Sequence, residues 1–79
     1  MSMHVVFSSP TYQVLEYPEL DAIELVDNLR ATGTLIQGAL AAGFRASLQD
    51  LSAHQPSMED VDELIGGYDA LMHLPMRLH

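Results

Sequence analysis

Val61, Leu64, Ile65, Tyr68, Leu71 and Met72 fall at i, i+3, i+4, i+7, i+10 and i+11. On a helix of 3.6 residues per turn, those positions make one continuous apolar stripe. The stripe must be buried against something, so the remainder of the chain has to supply a surface for it. Glu59, Asp60, Asp62, Glu63 and Asp69 occupy the other positions and are expected to face water. The helix start is marked by Ser57 after Pro56, because a serine hydroxyl can accept a free amide hydrogen of the first turn. Asp60 stands where a capping box places its acid, and Glu59 and Asp60 both suit the positive end of the helix dipole. Pro75 sets the stop, so the helix is expected over about 57–73. Gly66 and Gly67 interrupt the pattern, and each costs roughly 1 kcal/mol relative to alanine. Gly67 lies at the edge of the stripe, where its small size would either let another helix approach or introduce a kink.

A chain of 79 residues is one domain, at a size where a single core leaves little margin of stability. It contains no cysteine, so no disulfide can reinforce the fold. Oligomerisation is the remaining common device, and a homodimer is expected. Eleven acidic residues against three arginines, Arg30, Arg45 and Arg77, give a net charge of −8. That balance argues against nucleic acid and against an anionic membrane as partners. No basic region followed by an apolar run opens the chain, so no signal peptide is expected. The most apolar stretch, Leu35 to Leu48, is broken by Gln37 and Arg45 and is too short to span a bilayer. A cytoplasmic location is the expectation.

From the N-terminus, residues 3–7 are apolar and β-branched and predict a strand, with Met3, Val5 and Phe7 on one face. Ser8-Ser9-Pro10-Thr11 is a turn, and residues 12–17 predict the returning strand. Pro18 ends it. Residues 22–33 admit two readings. Ala22, Leu25, Val26 and Leu29 fit a helix with Gly33 as its cap. Residues 22–27 and 32–37 also fit two strands about an Asp27-Asn28 turn. After Gly38, the residues Leu40, Phe44, Leu48 and Leu51, with Ala41 beside them, give a helical stripe over about 39–53. The short link through His54, Gln55 and Pro56 makes the two helices antiparallel neighbours. The tail 74–79 carries Leu74, Met76 and Leu78.

The chain resembles a family of short, uncharacterised betaproteobacterial proteins, a domain of unknown function. The likeness rests on Ser8-Ser9-Pro10, Tyr12, Val14, Glu16 and Pro18 at the start, and on Glu24, Val26, Asp27, Gly38, Leu40, Ala41, Phe44 and Arg45 in the middle. At the end it rests on Pro56-Ser57, Glu59, Val61-Asp62, Leu64, Tyr68-Asp69, Leu71-Met72, Pro75 and Leu78-His79. The resemblance implies strand–turn–strand between Ile23 and Gln37, and so an α+β fold. Two N-terminal β-hairpins would form a small antiparallel sheet, followed by an antiparallel helical hairpin. Two departures stand out: a short connection around Glu19 to Ala22, and Gly33-Thr34 in place of a stronger strand sequence, so that strand is expected to fray. The family brings no activity, cofactor or catalytic residue to carry over.

Chemical constellations are sparse. His4, His54, His73 and His79 include no pair at i, i+3 or i+4, so solvated or capping histidines are a better reading than a zinc site. The acids from Glu59 to Glu63 lie on a helix and not on a glycine-bent loop, which favours a solvated face over a calcium site. Ser8 and Ser9 lack a nucleophile-elbow context, and Gly66-Gly67 lacks the lysine and flanking pattern of a phosphate loop. No catalytic, cofactor or metal residue is therefore assigned. Tyr12, Tyr17, Met76 and Leu78 are the candidate interaction surface, with packing into the sheet as the alternative for the two tyrosines. The expected function is a non-catalytic protein-interaction module with itself, or an unidentified protein, as partner. The alternatives are an acidic decoy for the basic, nucleic-acid-binding surface of a regulator, and a small-molecule binder or enzyme with its site at a dimer interface.

Overall fold

The computed structural model describes residues 2–72. Its strands are β1 (His4–Ser8), β2 (Tyr12–Tyr17), β3 (Ala22–Asp27) and β4 (Thr32–Gln37), followed by helices α1 (Gly38–Ser52) and α2 (Met58–Met72). A single 3₁₀ turn, Pro18–Leu20, joins β2 to β3. The strands form one antiparallel sheet in the order β1-β2-β3-β4, so the fold is α+β with two successive hairpins. Between residues 22 and 37 the hairpin prevails over the helix. Leu29, which a helix would have buried with Leu25, stands 78% exposed in the turn. Asp27 builds that turn by accepting the backbone N–H groups of Leu29 at 2.9 Å and Arg30 at 3.1 Å on one carboxylate oxygen.

Strand alternation gives the sheet two faces. Val14, Ile23, Leu25 and Ile36 point to one face and are almost fully buried, together with Ala41 and Phe44 of α1 and Val61 and Ile65 of α2. Both helices thus cover the same side of the sheet. Phe7, Tyr12, Leu48, Leu51, Leu64 and Tyr68 pack around this core half-buried. The Phe44 and Tyr68 rings meet edge to face, with centroids 5.1 Å apart, and hold the two helices together. Arg45 ties α1 to the sheet, with Nε 3.1 Å from Glu16 and Nη2 3.2 Å from Asp21.

Local signals set the start of α2. The Ser57 N–H donates to Asp60 at 3.0 Å and the Asp60 N–H donates to the Ser57 hydroxyl at 3.2 Å, the reciprocal pair of a capping box.

Five expectations need correction. A bulge falls between Val5 and Phe7, so Val5 pairs with Leu15 and Phe7 with Val14; these two residues lie on opposite faces, not the same one. Leu40 is 40% exposed and lies outside the α1 stripe, which runs instead through Ala41, Phe44, Leu48 and Leu51. Gly67 faces open space; within the helices the close approaches occur at Gly66, beside the Tyr12 ring, and at Gly43, beside the Tyr68 hydroxyl. Asp69 is buried and Asp62 half-buried, so neither simply faces water. Finally, β4 keeps its register with β3 over all 6 residues despite Gly33-Thr34.

Candidate functional site

The face of the sheet opposite the helices is the feature with chemical consequence. Register places Val5, Leu15, Glu24 and Leu35 in one row across all four strands. A parallel row holds Ser8, Gln13, Val26 and Gly33, and a third holds Tyr17, Ala22 and Gln37. Val5 is 59% exposed and Leu35 is 49% exposed; Leu15 and Val26 are half-buried. No helix among the described residues lies over this face. It is an apolar surface with one carboxylate at its centre. The Tyr17 hydroxyl donates to that Glu24 carboxylate at 2.8 Å. The bond, then burial, then the Glu24 charge raise the Tyr17 hydroxyl above its ordinary pKa.

The two edges of the sheet differ. β1 is bulged at Val6, and Ser2 donates to Glu19 near its start. β4 is regular throughout and has neither proline nor charged residue along its length.

At the end of the sheet nearest α2, the Ser9 side chain is buried. It donates to Asp62 at 2.7 Å and accepts the N–H groups of Thr11 at 3.2 Å and Tyr12 at 3.0 Å. Asn28 reaches over from the second hairpin, its N–H donating to the Thr11 carbonyl at 2.9 Å and its side-chain amide to the Ser9 carbonyl at 3.0 Å. Ser9 is therefore a structural tie whose hydroxyl is fully engaged, not a nucleophile beside a base. Tyr12 lies just behind it. Burial, followed by the charges of Asp69 and Asp27, raises its hydroxyl above the ordinary tyrosine pKa, with Arg30 opposing.

Two hollows remain. A cavity of about 610 Å³ opens between the helices, walled by Asp50, Leu51, His54, Asp60, Glu63 and Tyr68. His54 Nδ1 lies 2.8 Å from the Asp50 carbonyl at the end of α1. A cleft of about 240 Å³ lies between the β1 edge and α1, against Val6, Val14, Phe44 and Leu48. Among the described residues, no three His, Asp or Glu side chains gather as a metal site. Nor is any helix there long and apolar enough to cross a membrane.

The sequence-predicted surface is divided by this arrangement. Tyr12 and Tyr17 occupy opposite faces of β2, Tyr12 toward α2 and Tyr17 on the uncovered face beside Leu15. Met76 and Leu78 lie outside the described residues. Val5, Leu15 and Leu35 were not singled out from sequence. Val14-Leu15, Leu25-Val26 and Leu35-Ile36 each interrupt the apolar–polar alternation of their strand, and those pairs are local signs of a second apolar face.

A protein of Burkholderia thailandensis, Protein BTH_I0359, is 36% identical over 85 residues, a match covering 98% of this chain and 100% of that protein. No solved structure matches the chain. The family described as "Protein of unknown function (DUF3567)" matches residues 3–79. On that match, which spans nearly the whole chain, the protein belongs to the DUF3567 family.

Proposed function

We propose that this protein is a small, non-catalytic protein-interaction module of the cytoplasm that works as a homodimer. The observation that carries the reading is the open β4 edge, a regular strand without bulge, proline or charge, whose Leu35 is 49% exposed and belongs to the uncovered apolar face. Exposed apolar surface on a scaffold this small is a mark of association. The chemistry agrees: the buried serine is committed to structure, and the carboxylates near it serve turns and caps. Nucleic acid and anionic membranes are poor partners for a chain of net charge −8. Light scattering at tens of micromolar tests the proposal. A mass twice the 8.7 kDa of the chain is expected, and a monomer would refute it.

A second reading, the acidic decoy, is favoured by the exposed acids Glu59, Asp60 and Glu63 of α2 and by Asp50 across the interhelical cavity. Binding of that kind would weaken steeply with added salt. A partner held equally well at low and high salt excludes it.

A further inference from the structure

We infer that the dimer forms edge to edge, with β4 of one copy pairing antiparallel with β4 of a second copy to make one eight-stranded sheet. The inference rests on the homodimer reading above and specifies its seam.

Three surfaces compete for that role. The uncovered face is the most apolar, but Glu24 stands in its central row between Leu15 and Leu35. Packing two such faces together would bury two carboxylates. Among the described residues no arginine could neutralise them, since Arg45 lies on the helix side bound to Glu16 and Asp21, and Arg30 is in the β3–β4 turn. Burying unpaired like charges is strongly unfavourable. The β1 edge is apolar too, but its bulge between Val5 and Phe7 breaks the ladder that a partner strand would have to follow.

The β4 edge has none of these obstacles. Its 6 residues hold an unbroken register, and bulges, prolines and charges, the usual protections of an edge strand, are all absent from it. Charge explains why the partner can be a second copy. Each copy carries −8, so two copies repel over most of their surfaces. The stretch 31–44, which makes β4 and the first half of α1, contains no charged residue. No residue of that stretch brings a charge to the seam; the Glu24 carboxylate, which lies over Gly33, stays on the open face in water.

Geometry then places Leu35. A two-fold axis through an antiparallel strand pair stands perpendicular to the sheet and keeps each face on its own side. Residues that pair must therefore share a face. In the two registers that pair most of β4, Leu35 meets its own counterpart or Gly33 of the second copy, and in both it sits at the seam. The helices of both copies then lie on one side, and Glu24 of each remains in water on the other.

The test uses the absence of cysteine, which makes an introduced thiol unique. A spin label on Leu35→Cys reports the distance between copies. At a β4 seam the two labelled backbones lie about 5–8 Å apart. At a β1 seam seven strand spacings separate them, about 34 Å. Leu35→Lys places a charge on the seam and is expected to weaken dimerisation at least about tenfold by light scattering, while Val5→Lys leaves it unchanged. Circular dichroism checks that each variant is folded, and if Leu35→Lys is not, the label distance decides. A dimer with distant labels, or one broken by Val5→Lys, overturns the β4 seam and leaves self-association standing. A monomeric parent overturns both.

Discussion

Replacing Ser9 by alanine tests whether one hydroxyl holds the first hairpin to α2. The side chain is buried, and its oxygen takes part in a 2.7 Å bond to Asp62 and accepts two backbone N–H groups. A bond to a carboxylate contributes about 1.5–3 kcal/mol, and the lower end applies because Asp62 is half-exposed and can be rehydrated. An orphaned N–H costs about 1 kcal/mol or more where water cannot replace the lost partner. Thr11 and Tyr12 are both half-buried, so part of that cost is recovered. The expected loss for Ser9→Ala is about 2–3 kcal/mol. With a urea slope near 1 kcal/mol/M for a chain this small, the midpoint should fall by about 2–3 M at fixed protein concentration. Ser8→Ala, at an exposed neighbouring position, should change stability by less than about 0.5 kcal/mol. Pairing Ser9→Ala with Asp62→Ala in a double-mutant cycle isolates the contact. A loss below about 0.5 kcal/mol for Ser9→Ala, or a coupling near zero, would refute the tie.

The two mid-helix glycines should respond differently to alanine. Gly67→Ala, into open space, should stabilise by about 1 kcal/mol in thermal melts, whereas Gly66→Ala should gain less because its new carbon lies 3.4 Å from the Tyr12 hydroxyl. Gly38→Ala also meets no atom, but its φ of +62° is left-handed, so a loss of about 1–2 kcal/mol in urea midpoint analysis is expected from backbone strain alone. The Tyr12 and Tyr17 hydroxyls have folded pKa values above 10.0, so the folded state holds their protons more tightly. That stability is complete below pH 10.0 and is lost as pH rises through the folded values; absorbance near 295 nm follows the ionisation, and Tyr17→Phe removes its share. Raising salt should strengthen the dimer, since it screens two bodies of charge −8, and sedimentation at two ionic strengths reads the sign.

What was readable in the sequence was local. The capping box at Ser57 and Asp60 spans one helical turn, so its two members identify each other. The stripe of Val61, Leu64, Ile65 and Tyr68 depends on spacing along one element alone. The failures involve partners distant in sequence. Asp62 reads as a solvent-facing acid because Ser9, the group that engages it, is 53 positions away. The β1 bulge is a property of register against β2, and nothing within residues 4–8 announces it. Residues 22–33 fit a helical period slightly better than the strands they form, because an apolar pair such as Leu25-Val26 serves a helix stripe or both faces of a strand; only the family resemblance pointed to the hairpin. The uncovered face was only hinted at, by adjacent apolar pairs such as Val14-Leu15, because Val5, Leu15 and Leu35 become neighbours only through pairing.

The corner where Ser9, Asn28 and Asp62 meet determines where the chain can be cut or lengthened. Both hairpin turns and the start of the second helix are fastened there to one another, so an inserted residue in the 9–11 turn would pull three segments out of place at once. The link between the helices is the opposite case, with Ala53, His54 and Gln55 all exposed. New termini or a grafted peptide belong at that link, and the same graft at the Ser9 turn should leave the chain unable to close its core.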